Sequence, residues 1–86
     1  MGRSGYTTDE SFLIKLYEEA LSGGDMELEI DFLDLGRSLR QKDRAIKTIV
    51  RDLAQANFVK KVDDSKLILT PNGITLAQKF KEGWIG

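Results

Sequence analysis

Apolar positions recur at two spacings along the chain, and the changes from one spacing to the other mark the predicted elements. Residues 9–22 repeat at helical intervals, and this helix is expected to start at the capping-box pair Thr7 and Glu10 and to end at two consecutive glycines. Residues 26–30, MELEI, alternate apolar and acidic side chains, which predicts a short half-buried strand. A second helix is predicted directly after it, over residues 32–39.

The clearest amphipathic pattern lies in the third predicted helix, over residues 43–57. Its apolar positions keep i, i+3, i+4 and i+7 spacing on one face, which consists of Ile46, Ile49, Val50 and Leu53. The opposite face consists of Arg44, Lys47, Thr48, Arg51 and Gln55. Asn57 suits the left-handed conformation in which many helices end. We therefore expect one face of this helix in the core and the other in solvent.

The last third of the chain predicts a β-hairpin and a closing helix. The segments FVKKV and KLILT flank DDS, which is typical of two short strands around a turn. Thr70 and Pro71 follow as N-cap and first helical residue, so a helix is expected from about residue 71. The core predicted from all these elements includes Leu16, Leu35, Leu39, Ile46, Ile49, Val50, Leu53, Phe58, Leu67, Leu69 and Ala77.

Composition limits the chemistry that the chain can perform. The 86 residues are 41% hydrophobic and 31% charged, the proportions of one soluble globular domain. Cysteine and histidine are absent from the sequence, which removes disulfides, thiolate chemistry and the usual ligands of zinc, copper and iron. No apolar run exceeds three residues, so no membrane span is expected. These features predict a cytoplasmic protein that is not an enzyme and carries no cofactor.

Charge is partitioned along the chain, although the net charge is only −1. Residues 1–35 carry two basic and nine acidic side chains, whereas residues 36–66 carry nine basic and four acidic ones. The acidic side chains of the first part suit a helix start and the solvent side of a strand, so we interpret them as solvated surface. The positive part contains the third helix and the hairpin, which indicates one positive face.

The order helix, strand, helix, helix, hairpin, helix resembles the winged helix-turn-helix family of DNA-binding domains, as found in small prokaryotic transcriptional regulators. The resemblance covers about residues 8–82 and is centred on DLGRSLRQKDRAIKTIVRDL, residues 34–53, where Gly36 takes the small-residue position at which two helices cross. LILTPNGITLA, residues 67–77, is similar to the strand-to-helix junction of repressors of the multiple-antibiotic-resistance and related types. The resemblance implies an α+β, mostly helical fold with a three-helix core, a small antiparallel β-hairpin wing and a C-terminal helix.

The resemblance also sets the expected domain limits, and two sites depart from the family pattern. Residues 8–86 are expected to form a single winged-helix domain behind a flexible N-terminus, residues 1–7. The turn between the second and third helices carries Arg40 and Gln41, where the family usually has a glycine and an apolar residue. The hairpin tip is Asp63–Asp64, where a DNA-reading wing is more often basic.

The function implied by the resemblance is binding of double-stranded DNA, with the third helix in the major groove. The expected nucleic-acid-binding residues are Arg37, Arg40, Lys42, Arg44, Lys47, Thr48, Arg51, Gln55, Lys60, Lys61 and Lys66. The alternative is a winged-helix protein–protein interaction module that binds an acidic partner, which the acidic hairpin tip favours. A homodimer through the first and last helices is a further hypothesis, based on the wide apolar face of the first helix and on Trp84 and Ile85 near the end of the chain.

Overall fold

Four helices and three strands make up residues 7–82, the part of the chain that the computed structural model describes. In chain order they are α1 (Thr8–Gly23), β1 (Ile30–Asp31), α2 (Phe32–Ser38), α3 (Asp43–Gln55), β2 (Val59–Lys61), β3 (Lys66–Leu69) and α4 (Pro71–Lys81). This architecture confirms the predicted α+β, mostly helical class. Most of the predicted flexible N-terminus (residues 1–7) lies outside the described residues, as do Trp84 and Ile85.

The predicted helix starts are confirmed by their caps. In the capping box of α1, the Thr7 amide donates to Glu10 Oε1 at 2.9 Å and the Glu10 amide donates to Thr7 Oγ1 at 3.1 Å. At the start of α2, Asp31 Oδ1 accepts the amides of Leu33 and Asp34 at 3.1 and 3.0 Å. Each cap satisfies amides that have no partner inside the helix, which fixes where the helix begins.

The first strand is shorter than predicted and lies later in the chain. The prediction placed it at residues 26–30, whereas β1 contains only the last of these residues and the one after it. Asp25 is the reason, because its Oδ1 accepts the amide of Glu27 at 2.8 Å and its carbonyl accepts the amide of Leu28 at 3.1 Å. These bonds close a turn, so the alternation of apolar and acidic residues reflects a turn with one half-buried side.

The described strands form an antiparallel sheet in the order β1-β3-β2. Leu67 of the central strand β3 lies opposite Ile30 of β1 and opposite Lys61 of β2. The pairing of β2 with β3 confirms the predicted hairpin. β1 and β2 are therefore the two edges of the sheet, on opposite sides of β3.

The turn between α2 and α3 is closed by a residue in the left-handed conformation. Arg40 has φ 62°, and its amide donates to the Arg37 carbonyl at 2.9 Å. The next amide, of Gln41, donates to the Gly36 carbonyl at 3.0 Å, which completes a Schellman helix end. Gly36 also allows α2 and α3 to cross closely, as predicted, because a Cβ there would overlap Cγ1 and Cδ1 of Ile46.

Thr70 joins the end of α3, the base of the hairpin and the start of α4. Its hydroxyl donates to the Asn57 carbonyl at 2.6 Å and accepts the Gly73 amide at 3.1 Å. Its own amide donates to the Phe58 carbonyl at 3.1 Å. Gly73 packs so closely here that a Cβ would overlap the Phe58 carbonyl oxygen. The predicted N-cap role of Thr70 is thus confirmed, and it extends back to the hairpin base.

The hydrophobic core lies between the helices and one face of the sheet. Its buried members are Phe12, Leu13, Leu16, Tyr17, Ala20, Ile30, Phe32, Leu35, Ile46, Ile49, Val50, Leu53, Val59, Leu67, Leu69 and Ala77. Two predicted core residues, Leu39 and Phe58, are only half-buried and pack against its margin. Both follow the end of a helix, where the chain turns towards the surface.

Most of the wide apolar face of α1 is buried inside the domain. Phe12 and Leu16 are fully buried, because α1 contacts α2, α3 and α4. On the side facing α4, Lys81 Nζ lies 2.8 Å from Glu18 Oε2. Leu21, which is 49% exposed, is the large apolar side chain of α1 that remains in solvent. None of the helices within residues 7–82 has the length and apolar character needed to cross a membrane.

Candidate nucleic-acid interface

The exposed face of α3 forms one wall of an open groove whose other wall is β2. All five side chains predicted for this face are exposed, while the opposite face of the helix lies in the core. We call this the basic groove, and its lining residues are Arg44, Lys47, Thr48, Arg51, Ala54, Gln55 and Lys61. Four of the seven are cationic and none is a carboxylate, so the groove attracts anions.

The polar groups of α3 in the basic groove are largely unengaged. The Thr48 hydroxyl donates to the Arg44 carbonyl at 3.1 Å, which leaves its oxygen lone pairs available as acceptors. Arg51 Nε lies 3.8 Å from Asp52 Oδ1, a long contact between two solvent-exposed side chains. The positive charge of the groove is therefore not neutralised by close internal ion pairs.

Lys61 brings the hairpin into the basic groove. It is the last residue of β2, and its ammonium lies 5.8 Å from the centroid of the Phe32 ring. Phe32 is almost fully buried, so the ring gives the ammonium a fixed neighbour with a favourable electrostatic interaction. The other two predicted hairpin lysines, Lys60 and Lys66, are exposed but do not line the groove.

Arg37 lies outside the basic groove and is engaged by Asp43, the first residue of α3. Its Nε donates to Asp43 Oδ1 at 3.0 Å and its Nη2 donates to Asp43 Oδ2 at 2.9 Å. The Arg37 hydrogen bond lowers the pKa of the Asp43 carboxyl and raises the pKa of the guanidinium. This two-point pair occupies donors that the sequence interpretation assigned to DNA.

Arg40 and Lys42 are exposed at the N-terminal approach to α3. Arg40 occupies the left-handed position of the turn, and Lys42 is the N-cap residue of α3. The Lys42 side chain makes no capping hydrogen bond, so the first amides of α3 are open at this end. The Arg40 guanidinium and the Lys42 ammonium therefore lie near the start of α3, and neither residue lines the basic groove.

The hairpin tip is shaped by Asp63. Its Oδ1 accepts the amides of Ser65 and Lys66, both at 2.9 Å. These backbone hydrogen bonds, that of Ser65 first, lower the pKa of the Asp63 carboxyl. Both tip carboxylates are exposed, but Asp63 stabilises the turn, whereas Asp64 accepts neither of these hydrogen bonds.

The structure thus divides the predicted binding residues into two groups. Those that meet in the basic groove are Arg44, Lys47, Thr48, Arg51, Gln55 and Lys61. Those outside it are Arg37, Arg40, Lys42, Lys60 and Lys66. Sequence reasoning missed Ala54, whose position three residues after Arg51 places it on the same helix face. It also missed Asp43 as the partner of Arg37.

Comparison with known proteins finds no matching family model, and neither a curated protein nor a solved structure matches the chain.

Proposed function

We propose that the chain is a small DNA-binding protein of the winged helix-turn-helix type, a cytoplasmic transcriptional regulator that uses α3 in the major groove and is not an enzyme. The observation that carries this proposal is the basic groove, a surface lined by no carboxylate, with three cations on a helix whose other face is buried in the core and a fourth, Lys61, on β2. A helix fixed in this way presents its charges in one orientation, which suits a regular polyanion such as duplex DNA.

The dimensions of α3 support insertion into the major groove. The helix has 13 residues and is therefore about 20 Å long. The major groove is about 12 Å wide and admits one helix. Arg44 and Lys47, in the N-terminal half of α3, are the proposed base-contacting residues, since recognition helices present their first turns to base edges. Arg51 and Lys61, nearer the hairpin, are the proposed phosphate contacts.

The lining of the basic groove favours duplex DNA over single strands. Proteins that bind single strands stack the bases on exposed aromatic side chains. Among residues 7–82, no aromatic side chain lines the basic groove. Phe12, Tyr17 and Phe32 are buried in the core, and the Phe58 and Phe80 side chains are half-buried elsewhere. The groove therefore offers charge and hydrogen bonds without a stacking surface.

In the proposed complex, the wing lies beside the DNA backbone with its tip turned away from phosphates. Lys60 and Lys61 are at the β2 end of the hairpin, whereas Asp64 is exposed at the tip. A carboxylate against phosphates is repulsive, so the tip is the part of the wing that DNA would avoid. The same acidic tip favours the second candidate function, a protein–protein module that binds an acidic partner through the basic groove alone.

The homodimer through α1 and α4 stays a prediction with reduced support. The apolar face of α1 that suggested it is mostly buried in the core of its own chain. Leu21 remains as an exposed apolar side chain on α1, and the half-buried Ile74 lies on α4. Trp84 lies outside the described residues.

The proposal is tested by the binding of a labelled random-sequence duplex, measured by fluorescence anisotropy at about 50 mM and about 200 mM salt. We expect binding at the lower salt concentration and a slope of log K against log salt of about −0.9 for each phosphate that is neutralised. Arg51→Gln should weaken binding and flatten the slope, whereas Lys79→Gln, the same loss of charge on the far helix α4, should change neither. Absence of binding to duplex DNA at low salt would overturn the proposal.

A further inference from the structure

The two edges of the sheet carry opposite charges. A second groove, which we call the acidic groove, runs between α1, β1 and α2. The charged residues that line it are Lys15, Glu19, Glu29, Asp31 and Asp34. The basic groove lies beside β2, with four cations and no carboxylate. Because β1 and β2 are on opposite sides of β3, the negative and positive grooves lie at opposite edges of the sheet.

Within residues 7–82, no close ion pair involves a carboxylate of the acidic groove, and the basic groove has only the long Arg51–Asp52 contact. The ion pairs found among residues 7–82 are Arg37–Asp43, Arg51–Asp52 and Lys81–Glu18. None of them joins one groove to the other, and none uses a carboxylate of the acidic groove. The Asp31 carboxylate accepts amides at the start of α2, but these amides carry no full charge. The described part of one chain therefore displays two complementary charged surfaces that no ion pair of its own joins.

We propose that the acidic groove binds the basic groove of a second copy of the same chain, so that copies associate head to tail. Charge complementarity selects this occupant, since the second copy supplies four cations for a groove lined by four carboxylates. Two different surfaces meet in such an interface, so each added copy leaves one groove of each kind free. Further copies can therefore add beyond the dimer. The homodimer predicted through α1 and α4 would instead be two-fold symmetric and would stop at two chains. The inference does not depend on DNA binding, although DNA would compete for the basic groove.

Salt concentration is the first experimental variable. Attraction between exposed charges reaches about 30 Å at 0.01 M salt but only about 8 Å at 0.15 M. In light scattering at about 0.01 M salt, we expect a mass that rises with protein concentration from the 9.7 kDa of one chain. In about 0.5 M salt we expect one-chain mass throughout.

Charge reversal at the two edges identifies the surfaces. Glu29→Lys and Lys61→Glu should each weaken association about tenfold or more, because each places like charges across the proposed interface. Glu82→Lys and Lys79→Glu make the same changes of charge at exposed positions on or beside α4 and serve as matched controls. Circular dichroism establishes that each variant is folded.

Mixing the two edge variants provides the decisive measurement. The Glu29→Lys protein keeps an intact basic groove, and the Lys61→Glu protein keeps an intact acidic groove. An equimolar mixture should therefore form at least one good interface per pair and reach at least twice the one-chain mass. The proposal is overturned if wild type stays at one-chain mass at low salt, if neither reversal weakens association, or if the mixture associates no better than its components.

Discussion

Arg37 and Asp43 form a two-point ion pair across the turn between α2 and α3, with Nε–Oδ1 and Nη2–Oδ2 distances of 3.0 and 2.9 Å. The pair joins the last turn of α2 to the first residue of α3. The planar guanidinium meets both carboxylate oxygens, so the pair constrains direction as well as distance. Arg37 therefore links α2 to α3 across the turn, with two of its five N–H donors engaged by Asp43.

The stabilising effect of this pair should depend on pH. The Arg37 hydrogen bond lowers the pKa of Asp43 in the folded chain relative to the unfolded chain. The contribution of Asp43 to stability is therefore complete above its unfolded pKa and is lost as the pH falls through the lower, folded value. In urea unfolding, Arg37→Gln should be less stable than wild type at pH 7, and the difference should shrink in strong acid. A difference that stays constant with pH would assign the effect of Arg37 to packing.

The same substitution separates positioning from phosphate contact. Arg37→Gln should leave the salt slope of duplex binding unchanged, because its guanidinium is engaged by Asp43. Lys61→Gln should reduce the slope by about 0.9, the effect of losing one phosphate contact. Anisotropy titrations at several salt concentrations measure both slopes. Equal flattening by the two substitutions would place Arg37 on the DNA backbone after all.

Arg40→Gly should stabilise the protein by about 1 kcal/mol, because a side chain in the left-handed region costs about 1–2 kcal/mol that glycine avoids. Arg40→Ala removes the same charge but keeps a Cβ at φ 62°, so it is the matched control and should bring no such gain. Thermal and urea unfolding report the difference between the two variants. If alanine and glycine are equally stable, the left-handed conformation of the turn is not what limits stability.

Gly73→Ala should destabilise the protein more than Gly36→Ala. The added methyl group at Gly73 meets the Phe58 backbone carbonyl, which is fixed by the Thr70 amide. At Gly36 it meets Cγ1 and Cδ1 of the Ile46 side chain, which can shift more easily than a hydrogen-bonded backbone carbonyl. Overpacking in a rigid environment costs about 1–3 kcal/mol, so Gly73→Ala should lie at or above the top of that range. Urea unfolding of both variants tests the order.

The two tip carboxylates should respond differently to removal of charge. Asp64→Asn should change duplex affinity little, because the tip is turned away from the phosphates in the proposed complex; stronger binding would place the tip beside them. Asp63→Ala should instead loosen the hairpin, since three groups donate to Asp63 Oδ1. Anisotropy measures the first effect and amide exchange in the hairpin measures the second. An unchanged affinity in Asp64→Asn would show that the tip stays clear of DNA.

Helices, caps and most of the core were predictable because they depend on nearby residues. The i, i+3, i+4, i+7 pattern of α3 identifies both its buried face and its exposed face, and Thr7 and Thr70 cap the helices they were expected to cap. The strand before α2 was predicted wrongly, because alternation does not distinguish a strand from the turn that Asp25 closes. Local hydrogen bonding by a short acidic side chain competed successfully with extended structure.

The candidate site was predictable only where one helix contains it. The five residues on the exposed face of α3 could be predicted from the helical period. The presence of Lys61 in the basic groove depends instead on how the hairpin packs against α2 and α3. The engagement of Arg37 was not predictable, because the two ends of the pair meet across a turn set by Arg40. The acidic groove likewise results from the sheet order, which brings residues from α1, β1 and α2 to one edge.

The Thr70 junction has a consequence for how the domain opens and closes. The hydroxyl of Thr70 reaches the carbonyl of Asn57, thirteen residues earlier, and its amide reaches Phe58. Breaking this junction should free the end of α3, the base of the hairpin and the first turn of α4 together. The segment from Asn57 to Gly73 should therefore behave as one cooperative unit, whose amides exchange with solvent at a shared rate. Any partner that restrains the hairpin would slow exchange at the start of α4 to the same extent.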